Sequence, residues 1–130
     1  PAIFRKILQQ EGVEQLVLRK DVHEKCLVLY PESVWNEQED LMRKKLNRWN
    51  RQEQQIFREF VSDVELVSLD GNGRFLLSRK AQEQADIKQT VRFVGVGDTI
   101  EIWSADNDSA LSKSENFSKV LEELLGNKED

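Results

Sequence analysis

A duplicated unit is the sequence feature that most constrains how this chain folds. The segment PAIFRKIL is followed by two short apolar runs, QLVLR and CLVLY. Further along, SRKAQEQA is followed by TVRFVGV and TIEIW. Both copies have the pattern of a helix, a strand, a turn and a strand that ends in an aromatic residue. The chain is therefore predicted to be an α+β protein that contains the same unit twice.

The spacing of apolar residues predicts the elements of the first copy. Residues 1–10 carry apolar side chains at helical intervals behind Pro1, a residue suited to the first turn of a helix. The apolar runs at residues 15–19 and 26–30 are typical of buried strands, and Pro31 is expected to end the second.

Two helices are predicted between the copies. Residues 32–50 are expected to form one amphipathic helix, and residues 52–61 a second. The apolar face of the first would hold Trp35, Met42, Leu46 and Trp49. Trp49 is accordingly expected in the core, because it has helical spacing to Met42 and Leu46.

The second copy is predicted to begin with a hairpin over residues 64–78. Gly71 and Gly73 are expected to supply the positive φ angles of its turn. A short helix over residues 79–86 and a second hairpin turning at Gly97 complete the copy. The first copy starts at its helix, so we expect the natural gene to encode a second such hairpin directly before Pro1.

Three segments follow from these patterns. Residues 1–50 are the first repeat without its N-terminal hairpin, together with the following helix, and residues 51–103 are the second repeat. Residues 104–130 are predicted to be an acidic flexible tail with a C-terminal helix. The tail holds seven acids and three bases, so it carries −4 of the net charge of −5. The body is nearly neutral.

Composition excludes several classes. No apolar run approaches the roughly 20 residues that a bilayer needs, and no secretory signal is present, so we expect a cytosolic protein without a membrane partner. A single Cys26 and a single His23 predict neither disulfides nor a metal site. Cys26 lies among apolar residues and is interpreted as a small hydrophobe. No cofactor, small-molecule substrate or catalytic group set is expected, so the chain is predicted not to be an enzyme.

Two basic stretches on the neutral body are compatible with DNA binding. The first lies between Arg43 and Arg51 and contains no acid; the second comprises Arg74, Arg79 and Lys80. A charge run of the first kind is most often a solvated helix face, whose role at DNA would be phosphate attraction without sequence content.

Three motifs carry a resemblance to a known family. They are DxxGR at residues 70–74, CLVLYP at residues 26–31 followed by Trp35, and VGVGDxxEIW at residues 94–103. In this order and spacing the chain resembles the MraZ family of bacterial transcriptional regulators. Two positions depart from the family pattern: Ser78 and Gln82 stand where members usually have proline and arginine, respectively. The first copy keeps that pattern as Pro1 and Arg5.

The resemblance implies a fold and a function. The fold would be a double-split β-barrel of the AbrB/SpoVT type, built from two pseudo-symmetric repeats with flanking helices. The function would be binding of short direct repeats in the promoter of the division and cell-wall gene cluster. The protein would be a homo-oligomer that forms a closed ring and associates with the nucleoid.

The resemblance also assigns roles to residues. The expected DNA-binding residues are Asn72, Gly73, Arg74, Arg79 and Lys80. A structural role in the turn or in protomer pairing is expected for Asp70, Gly71 and Arg5. Residue chemistry leaves Arg74 open between phosphate, a guanine edge and a carboxylate. An alternative function is a structural or protein-interaction module that oligomerises without specific DNA binding, which the acidic net charge slightly favours.

Overall fold

A computed structural model describes residues 15–106 and 116–126 of the chain. The elements in chain order are β1 (Gln15–Lys20), β2 (Leu27–Pro31), α1 (Glu32–Lys45), α2 (Arg51–Ser62), β3 (Val64–Ser68), α3 (Arg79–Gln84), β4 (Val91–Val96), β5 (Thr99–Ser104) and α4 (Phe117–Gly126). The predicted α+β class is confirmed. The helix predicted for residues 1–10, with Arg5, lies outside the described residues.

The strands form one antiparallel sheet in the order β3-β1-β2-β5-β4. Within the described part of the chain this sheet is open, with β3 and β4 at its two edges. The closed double-split barrel therefore stays a prediction. The strand pairs β1–β2 and β4–β5 are the two hairpins expected from the repeated unit.

An approximate two-fold axis relates the two hairpins. Val28 of β2 faces Glu101 of β5 at the centre of their pairing. On either side, Leu27 faces Ile102 and Leu29 faces Ile100. Exchanging one hairpin for the other therefore reproduces the same pairing, which is what a duplicated sequence would produce.

One face of the sheet is buried under α3. Leu16 and Leu18 of β1 point to this face and are fully buried, as are Leu27 and Ile102 at the centre of the sheet. Ala81 of α3 packs on this apolar cluster together with the residues that follow the helix. Burying each large aliphatic side chain stabilises the fold by about 1.5–3 kcal/mol.

The opposite face is covered by α1 and α2. Trp35 of α1 stacks on Phe60 of α2 with ring centroids 5.1 Å apart, and the edge of Tyr30 meets Trp35 at 5.3 Å. The guanidinium of Arg19 lies 4.7 Å from the Phe60 ring, and its Nε donates to the Phe60 carbonyl at 3.0 Å. Arg19 thereby attaches α2 to the sheet.

The single long helix predicted for residues 32–50 is wrong. Helix α1 ends at Lys45, Leu46 is extended, and a separate turn leads into α2. Trp49 is 88% exposed, so its predicted place in the core is also wrong. The helix breaks for a local reason: Asn50 caps α2 by accepting the Glu53 N–H, which starts a new helix instead of continuing the first.

The predicted hairpin over residues 64–78 is confirmed only in its first strand. β3 pairs with β1, while residues 74–78 form no strand in the described structure. Phe75 and Leu77 in this second arm instead pack against the buried core cluster. Of the two glycines, only Gly73 has a positive φ, at 72°.

Candidate nucleic-acid interface

The predicted DNA-contacting turn is held together by one carboxylate. Asp70 Oδ1 accepts the backbone N–H of Asn72 at 2.8 Å and that of Arg74 at 2.9 Å. The Asp70 N–H donates to the Arg74 carbonyl at 2.8 Å, and the Gly73 N–H donates to the Asp70 carbonyl at 3.0 Å. Asp70 thus forms the turn, as aspartate does at the start of a tight turn. Gly73 provides the left-handed residue that closes it.

Arg74 leaves this turn with an exposed side chain. Its guanidinium has no hydrogen-bond or ion-pair partner among residues 15–106 and 116–126. Pairing with a carboxylate, one of the three alternatives for Arg74, is therefore not made within that part of the chain. A planar guanidinium presented in this way can donate two parallel hydrogen bonds to a phosphate or to a guanine edge.

The two other predicted basic residues begin helix α3, which Ser78 caps by accepting the Ala81 N–H. Lys80 Nζ donates to Asp63 Oδ1 at 2.9 Å, and Gln84 Nε2 donates to the same carboxylate. The hydrogen bond from Lys80 holds the pKa of Asp63 below its usual value, and it raises the pKa of Lys80. Arg79 is exposed and forms no ion pair in the described structure. Arg79 is therefore freer than Lys80 to meet an anion.

An apolar cavity of about 740 Å³ lies directly behind the turn. Phe75 and Leu77 form its wall on the turn side, and Phe93 and Ile100 form its wall on the sheet side. Asp70 and Arg74 stand among the few polar residues that line it. Because its walls are mainly apolar, the cavity offers no set of cations for a phosphate. The anion-binding groups lie at the turn.

The basic stretch at the end of α1 is partly neutralised. Arg43 pairs with Glu39 at 2.9 Å and with Asp40 at 3.4 Å. Other cations of the stretch form no ion pair in the described structure and are exposed. These are Lys44, Lys45, Arg48 and Arg51.

One cluster that the sequence analysis did not anticipate surrounds Cys26. Ligand atoms of Asp21, Cys26 and Glu101 all lie within 4.8 Å of one another. Asp21 and Glu101 are far apart in sequence, so only the sheet brings them together. Both carboxylates already accept hydrogen bonds, Asp21 from the His23 N–H at 3.0 Å and Glu101 from the Trp103 indole at 2.9 Å. Burial, with the charges of Glu101 and Asp21, raises the pKa of the Cys26 thiol to about 12.

Comparison with known proteins decides the family. A family model described as "MraZ protein, putative antitoxin-like" matches residues 60–128. The chain is 57% identical over 127 residues to a protein of Phocaeicola vulgatus named Transcriptional regulator MraZ. That match covers 97% of this chain and 82% of the relative. The chain belongs to the MraZ family.

Other members of the MraZ family give the same result. A Transcriptional regulator MraZ of Bacteroides fragilis is 47% identical over 126 residues, covering 96% of this chain and 80% of the relative. One of Bacteroides thetaiotaomicron is 46% identical over 126 residues, covering 96% and 81%. None of the helices in the described residues of this chain is long and apolar enough to cross a membrane. The resemblance drawn from the three motifs is confirmed.

Proposed function

We propose that this MraZ-family chain is a DNA-binding transcriptional regulator. The observation that supports the proposal best is the presentation of Arg74: its backbone is fixed by Asp70, and its exposed guanidinium has no described partner. The names of the relatives as transcriptional regulators agree with it. Arg74 would read a base edge, and Asn72, Gly73 and Arg79 would contact the adjoining backbone of the DNA.

The finer part of the proposal follows the family resemblance. The target would be short direct repeats in the promoter of the division and cell-wall gene cluster. The protein would act in the cytoplasm at the nucleoid, as a homo-oligomeric ring of double-split barrels. Within this proposal Lys80 is a weaker contact than Arg79, because its charge is shared with Asp63 at 2.9 Å.

DNA titration of an arginine variant tests the proposal. Arg74→Ala is expected to weaken binding to the cognate repeat by about 1–3 kcal/mol and to affect random DNA much less. Arg92→Ala is the matched control, because Arg92 is an exposed arginine on β4 that does not line the cavity behind the turn. Light scattering must show that both variants keep the mass of the parent assembly. Equal binding of the parent and Arg74→Ala to the cognate repeat would remove Arg74 from the interface.

The alternative function, a protein-interaction module, is favoured by a different observation. Large apolar side chains are exposed at several places, among them Leu76 at 92% and Trp49 at 88%. A contiguous exposed apolar face, such as that of helix α4, commonly marks a protein contact. Salt dependence separates the two functions, because phosphate contacts lose affinity steeply as salt rises. Binding that is insensitive to salt, or no binding to promoter DNA at all, would favour the interaction module.

A further inference from the structure

The turn between α1 and α2, residues 46–51, is a rigid structure rather than a loose connection; we refer to it as the tryptophan turn. The Trp49 N–H donates to Asn47 Oδ1 at 2.9 Å, and the Asn50 N–H donates to the Asn47 carbonyl at 3.0 Å. Glu53 Oε1 accepts the Asn47 N–H at 3.1 Å, while Asn50 Oδ1 accepts the Glu53 N–H at 3.0 Å. Glu53 is thus bonded to both Asn47 and Asn50, and these bonds hold the backbone on both sides of Trp49.

The tryptophan turn holds its indole in solvent. Trp49 is 88% exposed, and the Arg48 guanidinium lies 6.0 Å from its ring. Lys44, Lys45 and Arg51 are exposed cations close to Trp49 in the sequence, and none of them forms an ion pair within the described residues. A large aromatic side chain on a rigid backbone loses little conformational entropy when it is covered, so it is suited to anchor an interface. A partner for this surface needs an apolar face and negative charge.

Helix α4 has both properties. Its apolar residues follow helical spacing and are all exposed: Phe117, Val120, Leu121, Leu124 and Leu125. Glu122 and Glu123 flank this stripe, and the tail that carries the helix holds −4 of the net charge. A helix of 10 residues is marginal in water unless its apolar face packs on something. Helix α4 therefore needs a complementary surface.

We propose that α4 of one copy of this chain docks on the tryptophan turn of a second copy. The indole of Trp49 would pack on the stripe that includes Leu121 and Leu124, and the cations around it would face Glu122 and Glu123. Among the described residues both surfaces are exposed, and the apolar, acidic surface of α4 complements the aromatic, basic surface of the turn, so a second copy can cover both. Duplex DNA fits less well, because it supplies phosphates for the cations but no apolar surface for the indole unless its bases are unstacked.

This contact joins two different surfaces, so it is head-to-tail and leaves each copy with one surface free for the next. The inference rests on the self-association included in the proposed function. It adds the two surfaces that make the contact. It also places the cations of the tryptophan turn in a protein interface rather than on DNA.

Cysteine trapping on the 130-residue chain tests the contact. Gln52→Cys lies on the first turn of α2 beside Trp49, and Ser118→Cys lies on α4; neither change removes an apolar or charged side chain. The two single variants, one of them tagged, are mixed and treated with a short bismaleimide. Native Cys26 is fully buried and does not compete. We expect a cross-linked product of one tagged and one untagged 15.2 kDa chain.

Three controls decide the outcome. Ser62→Cys, at the other end of α2 and about 15 Å from position 52, is expected to give at least tenfold less product with Ser118→Cys. Trp49→Ala in the Gln52→Cys chain is expected to weaken association about 30-fold, while Trp49→Phe retains most of it. Equal trapping at position 62, or trapping that is indifferent to Trp49→Ala, would overturn the proposal.

Two rival occupants have their own signatures. If α4 covers the turn of its own chain, the double variant Gln52→Cys/Ser118→Cys cross-links without a gain in mass, and mixed single variants do not react. If DNA covers the turn, promoter DNA protects Gln52→Cys from maleimide and no cross-link to Ser118→Cys forms. Either result overturns the proposal. Loss of trapping with salt-sensitive, Arg74-dependent DNA binding intact would leave the proposed function standing.

Discussion

Asp70 Oδ1 accepts the backbone N–H of Arg74 at 2.9 Å, so an anionic side chain positions the residue that we propose to contact DNA. Asp70 itself would be repelled by phosphate. Its contribution is to the shape of the turn, and it can be removed separately from the guanidinium. The turn therefore allows a clean distinction between a residue that touches DNA and one that orients it.

Replacing the turn-forming carboxylate should lower both stability and DNA affinity. Asp70→Ala removes the acceptor for two backbone N–H groups, and we expect a loss of about 1 kcal/mol in the free energy of unfolding. Asp70→Asn keeps an oxygen acceptor and is expected to retain most of that stability. Urea unfolding and DNA titration measure the two effects. An Asp70→Ala variant that matches the parent in both would show that the bonds are dispensable.

Arg79 and Lys80 should differ although they are adjacent. Arg79→Ala is expected to reduce the salt slope of DNA binding by about one unit, as the loss of one phosphate contact does. Lys80→Ala should change the slope less, because its ammonium is already bound to Asp63. Because the ion pair is exposed to solvent, we expect the free energy of unfolding of Lys80→Ala to stay close to that of the parent. Asp63→Asn provides the matched test: freeing Lys80 should increase the slope.

Asp106 should make stability depend on pH in the acid range. Its carboxylate accepts the backbone N–H groups of Lys88 at 2.7 Å and Thr90 at 2.9 Å, and these bonds lower its pKa in the folded state. A lowered folded pKa means that the contribution is present above the unfolded value of about 3.9 and is lost as pH falls through the folded one.

Thermal unfolding between pH 7 and pH 2 measures this effect. The parent should be more stable than Asp106→Ala near neutral pH, and the two melting temperatures should converge as the solution is acidified. Asp108→Ala, a neighbouring acid in the tail, controls for net charge. A gap between the parent and Asp106→Ala that stays constant with pH would contradict the assignment.

Cys26 should be chemically inert in the folded chain. Burial and two nearby carboxylates raise the pKa of its thiol to about 12, so the reactive thiolate is scarce near pH 8. An aromatic disulfide reagent at pH 8 is expected to react on the timescale of unfolding, and at once in denaturant. Val22→Cys, at an exposed position in the same loop, should react rapidly under native conditions. Fast labelling of Cys26 in the native chain would show that its surroundings open readily.

Elements with a clear apolar period could be predicted from the sequence. The runs around Leu18 and Leu29 gave strands, and Phe117 with the leucines after it gave the last helix, because alternation and helical spacing are local properties. The break after Lys45 was missed. Two Asn residues and Glu53 compete with helix continuation there, and their bonds form only when the turn closes.

The candidate site also combines local features, which the sequence predicts, with contacts that only the fold creates. Asp70, Gly73 and Arg74 could be identified from a five-residue motif, since the turn that they form is local. The pairing of Lys80 with Asp63 could not, because the two side chains meet only after β3 and α3 are placed. The cluster of Asp21, Cys26 and Glu101 likewise depends on the pairing of distant strands.

Local sequence patterns are enough to predict the family, the duplicated hairpins and the DxxGR turn, because each is encoded by residues close together in the chain. The tertiary structure decided which strands pair. In it, β3 pairs with β1 and not with residues 74–78, its predicted hairpin partner, and β2 pairs with β5 across the approximate two-fold axis. It also decided that Trp49 stays in solvent while Trp35 is buried. The physical reason is that burial depends on what other segments cover a side chain, which local spacing does not specify.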